Sequence, residues 1–412
     1  MYWDFKGSYQ EELIMSRKLR ILFPYVEAGT GHIMPMKAFV FEFRKKYGNE
    51  FDIIETDFFK EKNDKELMSY EEWFCNKVRK FAANPIKGRI STIIDRLLPI
   101  KLVSWYMMKF SHKNVYYKAI EQIESYHADI VFSTHWATNY YARKCYNKPY
   151  SIIYCPDCEF CHAFSYDSDL AIIGNKQGYD KALKKKYRFN KDNLKLSTFL
   201  IRNEVFSISL DKYLNRQSLG LPKDNFTICF MEGGYGIGKM EALCNILVKE
   251  ERKLTIIAAC GKNEELYNKF CNLKVNENIT LIPLPMTEKV LNYIASCDLF
   301  IGKGGNSIAE PTFFGHASII STLSTGIEKT IARYYEKVVG SAIICTNVKK
   351  IIKYIHMFSE NPELLKKYEM NALKDHKRYG AEPCVNLVYE EIKKWEAHQN
   401  AWFINNKLFK YC

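Results

Sequence analysis

Short apolar runs bounded by glycine turns recur along the chain, and they alternate with segments of helical period. Residues 18–26, KLRILFPYV, read as a buried strand that runs into the turn Ala28-Gly29-Thr30-Gly31-His32. From about Pro35 to Tyr47, Phe39, Phe43 and Tyr47 fall four residues apart and predict a helix. FDIIETD (51–57) is the next strand, and ADIVFST (128–134) and YSIIYC (150–155) follow it. A second series starts at residue 226. It reads FTICFM, a glycine turn, a helix over 239–251, LTIIAAC, a helix over 263–272, ITLIPL, a helix over 288–296, DLFIGK, a helix over 307–314, and ASIIST. Strands alternating with helices in this way predict parallel sheets covered on both faces. The chain thus reads as two doubly wound, Rossmann-like α/β units facing a shared cleft, each with a glycine turn at the carboxyl ends of its strands.

The expected division is an N-terminal unit over 1–205, a connection over 206–225, a second unit over 226–380, and a helical tail over 381–412 that packs back on the first unit. A length of 412 residues suits two cores. With 47% hydrophobic and 26% charged residues, wholesale disorder and fibrous repeats are excluded. Thirteen cysteines raise the prospect of a disulfide scaffold. Their number is odd, and most lie in apolar runs (Cys229, Cys260, Cys345), where they read as small core hydrophobes. With no apolar leader in MYWDFKGSYQ, a reduced, cytoplasmic protein is expected. No run of 18 apolar residues is present to span a membrane.

Charge changes this picture. The net charge is +13, and residues 77–118 carry ten Lys/Arg against the single acid Asp95. Within that segment, LLPIKLVSWYMMKF interleaves Lys101 and Lys109 with Trp105, Tyr106 and Phe110. Such a mixture suits the interfacial layer of an anionic bilayer. A core helix with a solvated basic face accounts for the same pattern. No nucleic-acid recognition motif accompanies the patch, so nucleic acid is not expected as a partner.

Three glycine turns carry the candidate chemistry. AGTGHIMP (28–35) is not GxGxxG, so a dinucleotide fingerprint fails; His32 at the helix start faces the crevice as either a base or a capping residue. Glu232-Gly233-Gly234-Tyr235-Gly236-Ile237-Gly238-Lys239 follows a strand as a phosphate cradle does, but Met240 breaks the GK[ST] ending that NTP hydrolysis uses. Gly302-Lys303-Gly304-Gly305-Asn306-Ser307-Ile308-Ala309-Glu310 ends a strand, with Glu310 one turn into the next helix. That carboxylate suits two ribose hydroxyls, and the Ser307-x-x-Glu310 spacing equally suits a capping box. Cys155, Cys158, Cys161 and His162 have a zinc-like spacing, but no second CxxC lies at finger distance, so no metal is expected.

Together these motifs resemble the inverting transferase that adds N-acetylglucosamine to the peptidoglycan lipid precursor, and more closely the monogalactosyl- and glucosyl-diacylglycerol synthases. AGTGHIMP, DIVFSTH (129–135), CPDCEFCHAF (155–164), STFLIRNEVF (197–206), LPLPMTEKV and CDLFIGKGGNSIAE carry the resemblance in order, over about residues 18–345. It implies a GT-B fold and an inverting single displacement, with a UDP-sugar as co-substrate and no cofactor. By position, Glu310 would hold the ribose, and Gly304, Gly305 and Ser307 the diphosphate. Gly233, Gly234 and Gly236 would lie beside that diphosphate, and Met286 and Thr287 against uracil. Arg202 falls on the family's arginine. Gly31, Asp157 and His162 fall on the acceptor side, and His32 would be the base. Phe164 stands where relatives have tryptophan. In the sugar loop only Glu328 survives, because Ile327 replaces a glutamine and Ile331 an asparagine, so the sugar stays unassigned.

The leading expectation is transfer of a hexose to a membrane lipid such as diacylglycerol, by an enzyme peripheral on the inner face of the cell membrane. Lys101, Trp105 and Lys109 would dock on the anionic surface. The alternatives are the same transfer to a soluble or polyprenyl-linked acceptor, a catalytically silent GT-B protein that binds nucleotide or lipid, and an epimerase of the same fold.

Overall fold

The computed structural model describes residues 17–26, 30–83, 113–160, 168–184, 189–374 and 376–408. The first unit comprises β1 (Leu19–Tyr25), α1 (Thr30–Tyr47), β2 (Phe51–Asp57), α2 (Lys65–Ala83), α3 (Lys113–Ser125), β3 (Ile130–Ser133), α4 (Trp136–Ala142), β4 (Tyr150–Cys155), β5 (Leu170–Ile173), α5 (Lys176–Lys184) and β6 (Leu194–Leu196). After α6 (Lys212–Ser218) come β7 (Phe226–Met231), α7 (Met240–Leu247), β8 (Leu254–Gly261), α8 (Glu264–Cys271) and β9 (Ile279–Pro285). The second unit continues with α9 (Val290–Ala295), β10 (Leu299–Lys303), α10 (Ala309–Phe313), β11 (Ala317–Thr322), α11 (Gly326–Tyr334) and β12 (Ala342–Ile344). Three helices close the chain: α12 (Val348–Glu360), α13 (Pro362–Lys374) and α14 (Glu382–Leu408).

Both sheets have six parallel strands, in the orders β2-β1-β3-β4-β5-β6 and β12-β11-β10-β7-β8-β9. The order in which successive strands are added reverses between β1 and β3 in one sheet and between β7 and β10 in the other. Crevices open at such reversals, beyond the carboxyl ends of the strands. Ile21, Phe23, Phe132 and Ile152 fill one core and Ile228, Phe230, Ile256 and Ile301 another, all with no exposed surface.

The helix after β1 starts at Thr30, five residues before the point that the Phe39–Phe43–Tyr47 spacing marks. Pro35 therefore sits inside α1 rather than at its start. At the sixth helical position its missing N–H falls past the first turn and leaves the Gly31 carbonyl without its helical donor. The connection over 206–225 is not loose: Arg216 of α6 is buried and bonds Asp298 at 2.5 Å. From α14, Cys384, Val385, Val388 and Ile392 enter the core of the first unit, and Tyr389 stacks on Tyr47 at 3.8 Å.

The described cysteines are free thiols. No described helix is long and apolar enough to cross a membrane. Lys101, Trp105, Lys109 and His162 lie outside the described residues. Of the basic segment, Lys118 is described, and it is paired with Asp64 at 2.7 Å and Glu66 at 3.1 Å. Part of the positive charge counted between residues 77 and 118 is thus neutralised by acids upstream of it.

Candidate active site

The first crevice is built where β1, β3 and β4 end. Gly31 and His32 fall in the first turn of α1. His32 and Thr134 clasp each other: the ring Nδ1 lies 2.9 Å from the Thr134 carbonyl, and the Thr134 hydroxyl donates to the His32 carbonyl at 2.8 Å. A carbonyl only accepts, so Nδ1 carries the proton and Nε2 is the basic nitrogen of the neutral ring. His135 meets His32 edge-on, with ring centroids 5.1 Å apart. Its Nδ1 accepts from the Ala137 N–H, capping α4. Burial, reinforced by His32, holds His135 well below the usual histidine range, so it is neutral. Asp157, beyond β4, is only 6% exposed. Burial raises its pKa, while His32 and a hydrogen bond from Asn306 act in the opposite direction.

The second crevice holds the other two glycine turns. Gly233 and Gly236 have φ of 76° and 59°, a region in which glycine is at ease. A Cβ on Gly233, Gly234 or Gly305 would meet open space, so these backbones are approachable. Gly304 differs: a Cβ there would lie 2.4 Å from Leu323 and 3.0 Å from the Glu328 carbonyl, so this glycine serves packing. Glu232, buried behind the first turn, accepts from the Met240 N–H and from the hydroxyls of Ser321 and Thr322. Met286 is exposed and Thr287 half-buried just after β9.

The capping box is not at Ser307–Glu310. No side chain caps the turn at Asn306 or α10. It lies at Thr325–Glu328, where the Thr325 hydroxyl accepts from the Glu328 N–H and the Glu328 carboxylate accepts from the Thr325 N–H. Glu328 also pairs with Lys303 at 2.7 Å, so its carboxylate is engaged by its own domain. Ile331 is buried in the core, whereas Ile327 is exposed.

Glu310 is bonded instead by Arg202, Nε to Oε1 at 2.5 Å and Nη2 to Oε2 at 2.7 Å. Both side chains are largely buried. Asn306 also reaches across the cleft: its Nδ2 lies 3.3 Å from Asp157 Oδ1 and 3.4 Å from the Gly31 carbonyl. The expected residues of the two crevices therefore converge, joined by Thr134, His135 and Asn306. The first two stand in the STH sequence ending β3, at the reversal of the sheet. No signal in the sequence singled out Asn306. Among the described residues, no group of three or more His, Cys, Asp or Glu side chains is arranged to hold a metal.

No protein-family model matches the chain. Over 213 residues it is 25% identical to UDP-N-acetylglucosamine–N-acetylmuramyl-(pentapeptide) pyrophosphoryl-undecaprenol N-acetylglucosamine transferases of Thermoanaerobacter sp. (strain X514) and Thermoanaerobacter pseudethanolicus. The match covers 49% of this chain and spans 58% of the length of those relatives. Among solved structures, MurG of Acinetobacter baumannii superposes with a TM-score of 0.56 at 15% identity, over 91% of this chain and 100% of that one. The fold is GT-B. Anabaena Alr3699/HepE, in complex with UDP and glucose, gives 0.54 at 13% identity, over 91% of this chain and 100% of the other. A structure described as a UDP-N-acetylglucosamine 2-epimerase of Listeria monocytogenes gives 0.59 at 15%, over 92% and 96%. GT-B neighbours thus include both transferases and an epimerase, and the fold by itself does not select the reaction.

Proposed function

We propose that this GT-B chain transfers a hexose from a UDP-sugar to a hydroxyl of a lipid-borne acceptor, with inversion. The observation that carries the reading is the meeting of Gly31 and Asp157, beside a His32 whose Nδ1 is held by the Thr134 carbonyl, with the glycine loop Gly304–Ser307 of the other crevice, through Asn306. In this reading the donor diphosphate lies against the open backbones of Gly233, Gly234 and Gly305, close to Ser307. Glu310 and Arg202 flank the ribose, and uracil rests near Met286 and Thr287. The acceptor hydroxyl approaches from the His32 and Asp157 side. Its oxygen bonds the anomeric carbon as the bond to the β-phosphate oxygen breaks, UDP leaves, and Nε2 takes the hydroxyl proton.

The curated relatives' names specify a pyrophosphoryl-undecaprenol acceptor, which favours a polyprenyl diphosphate-linked substrate over diacylglycerol. Residues 77–118 support docking at an anionic membrane face; Trp73 of α2, just before that segment, and Tyr117 of α3, within it, are exposed. The test is a screen of UDP-sugars with polyprenyl diphosphate-linked sugars or diacylglycerol in phosphatidylglycerol liposomes, following UDP and the labelled lipid product. Labelled lipid establishes the transferase and its acceptor. Interconversion of the free sugar nucleotide without lipid product assigns the epimerase class instead. UDP binding without turnover on any acceptor assigns the silent binding protein.

A further inference from the structure

We infer that Asn306 is a positioning residue that straps the donor-side glycine loop to the acceptor-side pair His32 and Asp157 across the cleft. The inference rests on the reading of those two sides given above.

The strap has a specific origin in the sequence. In a helix the N–H of residue 35 would bond the carbonyl of residue 31. Residue 35 is proline and has no N–H, so the Gly31 carbonyl lacks that helical donor. The Asn306 amide faces this oxygen at 3.4 Å and Asp157 Oδ1 at 3.3 Å. An amide nitrogen carries two hydrogens, so both contacts are available to one Nδ2. A Cβ on Gly31 would lie 3.5 Å from that nitrogen, which puts the two loops in van der Waals contact.

The residue type fits the place. Asn306 stands between Gly305, whose backbone faces open space, and Ser307. A lysine there would be drawn to an arriving diphosphate, and an aspartate would repel Asp157. A neutral donor serves both neighbours. The groups that face Asp157 are His32 from α1, Glu328 from α11, and Cys158 on its own loop, with Lys303 holding Glu328. Burial and Glu328 favour the protonated carboxyl, whereas His32 and Asn306 favour the carboxylate. The loop that receives the donor therefore also sets the charge and the position of the carboxylate beside the base.

The experiment combines carboxyl 13C NMR titration of Asp157, assigned with Asp157→Asn, calorimetric UDP affinity, and turnover on the best donor and acceptor. Asn306→Ala should move the Asp157 midpoint upward and lower kcat by roughly 10- to 100-fold, since a small misplacement near the reacting atoms costs about that much. UDP affinity should stay within about twofold, because a contact across the cleft to Asp157 and Gly31 is not a contact to nucleotide. Asn306→Asp should move the midpoint further, as a second carboxylate replaces a donor. An Asp157 midpoint unmoved in both variants overturns the strap. So does a UDP affinity that falls in step with kcat, which would put Asn306 in the donor pocket. If the wild-type protein transfers no sugar, the functional reading fails while the titration still decides whether the strap exists.

Discussion

Arg202 holds Glu310 by two parallel hydrogen bonds, at 2.5 and 2.7 Å, in a largely buried pocket between the two domains. Arginine is the one side chain whose planar fork matches a carboxylate in this way. Burial works against the Arg202 charge, and Glu310 more than restores it. A ribose that bonds Glu310 must share that carboxylate with the guanidinium.

Glu310→Gln should therefore weaken UDP binding by about 1–3 kcal/mol, through loss of a charge-assisted acceptor. Calorimetric titration with UDP reads this directly. Affinity equal to wild type would separate Glu310 from the ribose and leave it a structural partner of Arg202.

His32→Ala should lower kcat by roughly 10²–10⁴-fold, the usual contribution of a general base, with UDP affinity nearly intact. Steady-state turnover beside calorimetry makes the comparison. A loss under about tenfold would show that the clasp with Thr134 is structural and would shift the role of base to Asp157.

Acid sensitivity should be built in through His316, which is buried and has its pKa pushed down to about 3, first by burial and then by the nearby Lys212. A histidine depressed in the folded state contributes stability that is full above its unfolded value of about 6.5 and is lost as the pH falls toward about 3. His316→Asn should flatten the fall in stability over that window. Urea midpoints measured from pH 7 to pH 4 in both proteins provide the check; parallel curves would exclude His316.

The connection between the domains should prove structurally demanding. Asp298 is 6% exposed and holds Arg216 at 2.5 Å and Lys212 at 2.7 Å, both from α6. Asp298→Ala should cost about 3–5 kcal/mol, because it leaves buried positive charge uncompensated. Chemical denaturation reads the loss, and a change below about 1 kcal/mol would mean that α6 is only loosely attached.

The basic segment should bind phosphatidylglycerol vesicles in a salt-dependent manner, each Lys or Arg near the surface contributing about 1 kcal/mol. Lys101→Glu with Lys109→Glu should reduce the salt-sensitive part, and Trp105→Ala the part that survives high salt. Co-sedimentation at low and high salt separates the two, and equal binding to neutral and anionic vesicles would count against docking.

Strands buried on both faces were the most legible features, because a run such as FTICFM or YSIIYC leaves few alternatives; both match their observed limits. The edge strands β6 (LKL) and β12 (AII) span three residues each and give no such signal. The helix start at Thr30 was obscured by Pro35, which reads as a boundary and lies in the first turns instead. The two S/T-x-x-E spacings, Ser307–Glu310 and Thr325–Glu328, are equivalent as strings. Only the approach of Arg202 from a distant segment decides which glutamate caps a helix. Asn306 escaped for the same reason: its partners lie 275 and 149 residues away.

The packing of α14 against the first unit bears on the order in which the protein is made. Ala381, Cys384, Val385, Val388 and Ile392 belong to the same core as Ile21, Phe23 and Phe132. A ribosome delivers β1 well before α14, so the first domain waits for α14, which follows the whole second domain, to bury its apolar surface. The second domain, whose strands and covering helices are contiguous from β7 to α13, has no such wait. Domains commonly mature from the N-terminus forward during translation. Here the later domain is positioned to fold first, and the earlier one to be held open, exposed to chaperones and proteases, until α14 has been made.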